Sequence, residues 1–109
     1  MEMELTCIEF DQNEIPVSKK VDIDGSLFTF ELQYNEMADF YTILVYDNEN
    51  NPLITSKLTY MGNVFHANTP GIPDRKLIPL SITDLASAYP PEIKVNKETF
   101  GDTVKLYLI

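Results

Sequence analysis

The strongest constraint in this sequence is a two-residue rhythm of apolar side chains. In residues 26–34, Phe28, Phe30, Leu32 and Tyr34 fall on one face, with Thr29, Glu31 and Gln33 on the other. Successive side chains of an extended chain point to opposite faces, so this alternation predicts a half-buried strand. Residues 40–46 are apolar on both faces, Phe40, Leu44 and Tyr46 against Tyr41, Ile43 and Val45, as in the middle of a sheet or barrel wall. Residues 53–60 resume the rhythm, with Ile54, Leu58 and Tyr60 opposite Thr55, Lys57 and Thr59.

Turn chemistry separates these segments. Asp24-Gly25 is a turn, residues 35–39 are short enough for a hairpin loop, and residues 47–52 (Asp-Asn-Glu-Asn-Asn-Pro) favour a polar turn. Met61-Gly62-Asn63 turns the chain into a brief Val64-Phe65 segment, so an antiparallel meander is expected. Residues 5–10 and 16–23 are weaker strand candidates, the second an edge strand guarded by Lys19 and Lys20. Residues 77–82 suit a short edge strand, and residues 103–109 alternate Val104, Leu106 and Leu108 with Lys105 and Tyr107.

Pro70, Pro73 and Pro79, with Gly71, exclude helix across most of residues 68–80. One short helix fits near residues 83–89, capped by Thr83 or Asp84 and stopped by Pro90-Pro91. The expected fold is all-β: a small antiparallel sandwich or partly open barrel of about seven short strands. Residues 1–109 read as a single β-rich domain, without repeats or a dividing linker.

The net charge is −9 and unevenly spread. Residues 1–50 carry twelve acids and two bases, a net of −10; residues 51–109 carry five acids and six bases, a net of +1. Phosphate neutralisation needs clustered Lys and Arg, so direct nucleic-acid binding is not expected. Anionic membrane surfaces are disfavoured too, and no apolar run approaches the roughly 18 residues of a membrane span. Cys7 is the sole cysteine, so an intrachain disulfide is impossible. Met1-Glu2-Met3-Glu4 is acidic where a secretory leader would be basic, which points to synthesis in the cytoplasm.

Catalytic chemistry finds little purchase. His66 is the single histidine, and a base needs a placed nucleophile beside it. One histidine and one distant cysteine make a poor zinc site. Residues 47–51 superficially suggest a calcium loop but lack its glycine and closing glutamate. Four glycines stand apart at 25, 62, 71 and 101, so there is no phosphate-cradling loop. No catalytic residue, metal ligand or cofactor site is assigned, and the chain is not expected to be an enzyme. Six Phe and six Tyr without Trp suit packing, although a carbohydrate platform is an alternative use.

The order of features carries a resemblance. Asp24-Gly25-Ser26-Leu27-Phe28-Thr29-Phe30 is followed by Phe40-Tyr41-Thr42-Ile43-Leu44 and Leu53-Ile54-Thr55-Ser56-Lys57-Leu58. Leu77-Ile78-Pro79 and Phe100-Gly101-Asp102-Thr103-Val104-Lys105-Leu106-Tyr107 complete the set. From about residue 15 onward this layout resembles the small baseplate plug proteins of phages and prophages. The motifs are individually unspecific, and the first 14 residues and residues 63–76 lie outside the resemblance.

The resemblance implies a structural component of a tail baseplate. Copies of the chain would form a homo-oligomer at the hub or tube end and contact hub or tail-tube proteins. Residues of the proline-rich stretch are the candidate contacts: Pro70, Gly71, Ile72, Pro73, Arg75, Leu77 and Pro79. A preformed proline segment loses little entropy on docking. The competing reading is a generic β-sandwich module binding carbohydrate or a cell-wall polymer.

Overall fold

A computed structural model describes residues 6–65, 70–81 and 94–109. The expected helix at 83–89 and His66 lie outside the described residues. Seven strands are present among them: β1 (Thr6–Ile8), β2 (Val17–Ile23), β3 (Ser26–Asn35), β4 (Phe40–Tyr46), β5 (Pro52–Lys57), β6 (Leu77–Leu80) and β7 (Lys105–Leu108). A single 3-10 turn, Gln12–Glu14, separates β1 from β2.

The strands form two antiparallel sheets. One is a meander, β2-β3-β4-β5, in which β3, β4 and β5 are the expected strands and β2, not Val64-Phe65, supplies the fourth; the other has the order β1-β7-β6. Neither closes into a barrel, so the fold is all-β with two open sheets. Ile23 pairs with Ser26 across Asp24-Gly25, whose φ angles are 53° and 91°. Two positive φ values match the right-handed twist of the flanking strands, and glycine tolerates the second without a Cβ penalty.

Asp47 holds the β4–β5 turn: its Oδ1 accepts from the N–H groups of Glu49 (2.8 Å) and Asn51 (2.9 Å), and its Oδ2 from the Asn51 side chain (3.1 Å). These donors, Asn51 foremost, hold the Asp47 carboxyl below its usual range. The carboxylate is spent on its own loop, which makes residues 47–51 a turn in this structure.

Alternation becomes a core. Phe28, Phe30, Leu32, Tyr41, Ile43, Val45 and Ile54 on the inner face of the four-stranded sheet share one buried cluster with Ile8, Leu77, Leu106 and Leu108 of the other. The opposite face of the three-stranded sheet buries Ile78, Leu80 and Tyr107 beside Cys7. β7, its central strand, is therefore apolar on both sides.

One local reading changes, and the edge strand at 77–80 accommodates a proline. Val64-Phe65 is not a strand; both side chains are buried, and the Val64 N–H bonds the Leu77 carbonyl at 2.8 Å. Pro79 does enter a ladder, opposite Leu106. Lys76 exchanges both backbone bonds with Ile109, so residues 76, 78 and 80 face β7 while 77 and 79 face away. The missing N–H of Pro79 thus removes no bond to β7, as suits an edge strand.

Candidate interaction surface

The candidate contact residues divide into a surface loop and a buried strand. Pro70 and Gly71 are exposed, Ile72, Pro73 and Arg75 half-buried, and Leu77 and Pro79 fully buried in β6. The side chains of Leu77 and Pro79 serve packing, so the loop 70–75 is what this stretch offers to solvent. Gly71 has φ +83°, and a Cβ there would stand 3.2 Å from Leu53. A larger residue would meet both backbone strain and β5.

Arg75 pins the loop. Its Nε donates to the Ile109 carbonyl at 3.0 Å, and its guanidinium pairs with Asp24 Oδ1 at 2.8 Å. The loop is thereby tied to the end of the three-stranded sheet and to the β2–β3 turn of the other. Asn63 secures the stretch preceding the loop: its Oδ1 accepts from Phe65 N–H (3.1 Å) and Leu77 N–H (3.0 Å), and its Nδ2 donates to the Phe65 carbonyl (2.8 Å). Asn63 was not singled out in sequence; an asparagine after glycine is ordinary turn chemistry, and its reach to residue 77 is invisible there.

A second corner ties the β3–β4 hairpin to residues 94–102. Asp39 Oδ1 accepts from the Tyr34 hydroxyl (2.5 Å) and the Lys97 N–H (3.2 Å). The Tyr34 bond, then the Lys97 bond, holds the Asp39 carboxyl below its usual range, and the same Asp39 bond pushes Tyr34 up to about 12. The sign follows for each group. Asp39 contributes stability above its unfolded value of 3.8, lost as pH falls through the lower folded value. Tyr34 contributes below its unfolded value of 10.0, lost as pH rises toward about 12. Asp39→Asn is expected to flatten the acid limb of a pH–Tm profile relative to the unaltered chain.

Open recesses flank this region among the described residues. One of about 270 Å³ is lined by Cys7, Glu9, Phe10, Phe100 and Lys105 among others; one of about 580 Å³ by Ile15, Pro16, Tyr34, Tyr41 and Lys97 among others. Burial, then Glu9, raises the Cys7 thiol above its usual range, the reverse of an activated nucleophile. No group of three or more His, Cys, Asp or Glu among the described residues could hold a metal ion. Phe28, Phe30, Phe65, Phe100, Tyr41 and Tyr107 are buried, so these rings build the core and not an exposed platform.

One family description, cyanophage baseplate Pam3 plug gp18, matches residues 6–109. The chain belongs to this baseplate plug family. The match begins at β1 and runs through residues 63–76, a wider span than the ordered motifs covered. No curated protein and no solved structure matches the chain. Membership gives the baseplate plug chain a structural role in the virion tail baseplate and contacts with other phage baseplate proteins.

Proposed function

We propose that this chain is a plug and adaptor of a phage or prophage-like tail, seated at the hub or tube end and held by protein–protein contacts. It is made in the host cytoplasm as a single domain of residues 1–109 and assembles as a homo-oligomer, without membrane or direct nucleic-acid contact. The family match over residues 6–109 carries this reading. Loop 70–75 supports it: Arg75 ties its C-terminal end to Ile109 and Asp24, and a segment already anchored in the free chain loses less freedom on docking. The acidic balance of residues 1–50 also fits, because negative charge beside a DNA conduit repels phosphate and limits fouling.

Co-sedimentation with purified hub and tail-tube proteins tests the adaptor role. The chain is expected to pellet with them, and deletion of residues 68–74 is expected to weaken capture more than about tenfold. Capture that survives the deletion removes the loop from the interface. Binding to cell-wall polymer in place of hub and tube proteins overturns the plug reading.

A further inference from the structure

A sheet edge with unpaired N–H and C=O groups templates another strand unless it is shortened, charged or covered. Among the described residues, three of the four sheet edges are managed. β2 carries Lys19, Lys20 and Asp22, and Lys19 Nζ reaches back 3.0 Å to the Glu9 carbonyl. β6 is covered by residues 61–64, through the Val64 and Met61 N–H groups and the Asn63 side chain. β1 spans three described residues, Thr6–Ile8.

β5 is different. The Leu58 N–H donates to the Tyr41 carbonyl at 2.9 Å, so residues 54, 56 and 58 face β4 while Thr55 and Lys57 turn their backbone groups outward. Both residues are exposed. Among the described residues, the partner of these four outward groups is the Ser56 hydroxyl alone, on the Lys57 carbonyl at 3.2 Å. The Lys57 ammonium does not guard the edge; it lies 4.7 Å from the centre of the Phe40 ring on the sheet's outer face. The register shift near Val45 and Tyr46 takes Leu53 out of the regular ladder, leaving Thr55 and Lys57 as the clean pairing positions.

We infer that the β5 edge pairs with β5 of a second copy of this chain, antiparallel about a two-fold axis at Ser56. Thr55 of each copy then faces Lys57 of the other, and the outward groups of both residues form four main-chain hydrogen bonds. The two four-stranded sheets become one continuous sheet. The segment is self-complementary: the register sets no like charge directly opposite another, whereas β2 paired about Lys20 would set ammonium against ammonium. A single strand pair buries less than a standard interface, so the dimer is weak and concentration-dependent. This deepens the homo-oligomer part of the plug reading by naming its contact.

Sedimentation equilibrium up to millimolar protein tests it, with circular dichroism checking each variant's fold. The unaltered chain is expected to dimerise. Thr55→Glu, which faces Lys57 twice across the axis, is expected to tighten the dimer about 2- to 20-fold; Thr55→Lys is expected to loosen it comparably. A monomer at every concentration, or both variants shifting in one direction, overturns the inference. Loss of the dimer with hub capture intact sinks the edge alone; loss of hub capture with the dimer intact sinks the plug reading alone.

Discussion

Leu106→Ala is expected to destabilise the fold by about 2–5 kcal/mol, read as a lower urea midpoint with an unchanged slope. Leu106 is 0% exposed at the centre of β7, between Ile8 and Pro79. It packs in the cluster that also holds Phe30, Ile43 and Val45 of the other sheet. Truncation there removes burial and leaves a cavity at the meeting of both sheets. Against the roughly 5–15 kcal/mol of a typical domain, the loss brings the chain near its folding limit. Leu27→Ala, at a leucine 38% exposed, is the control, with an expected change within about 0.5 kcal/mol. Equal costs at the two leucines would mean that the sheets do not share a core.

Asn63→Ala is expected to cost about 2–3 kcal/mol, because it removes three hydrogen bonds and strands the N–H groups of Leu77 and Phe65 in a partly buried setting. Asn63→Asp keeps the Oδ1 acceptor for the Leu77 and Phe65 N–H groups but sets a carboxylate oxygen against the Phe65 carbonyl, so it separates the accepting role from the donating one. Hydrogen exchange of the Leu77 amide is the direct readout. It should quicken strongly in Asn63→Ala and little in Asn63→Asp. Equal exchange in all three chains would show that the side chain does not hold β6.

The features legible in sequence are those fixed by local chemistry. Alternation at Phe28, Phe30 and Leu32 is a property of one strand, and Asp24-Gly25 is a property of one turn; both appear as read. The lysines at 19 and 20 marked β2 as an edge for the same reason. Non-local partnerships were hidden. β1 pairs with β7 from opposite ends of the chain, and Arg75 reaches Asp24 across 51 positions. Neither leaves a periodic trace. The proline stretch shows the limit most clearly. Its composition marks a loop, but only the pairing of β6 with β7 reveals that Leu77 and Pro79 are buried and Pro70 and Gly71 exposed. Val64-Phe65 was misread because two apolar residues after a turn satisfy a strand pattern and a buried irregular segment equally well.

The most direct test is quantitative mass spectrometry of baseplates detached from purified virions. The chain should be present in fixed proportion to the hub protein and should remain through salt and density-gradient washing. Its absence from washed baseplates, while it stays abundant in the infected-cell lysate, would contradict a structural role in the tail.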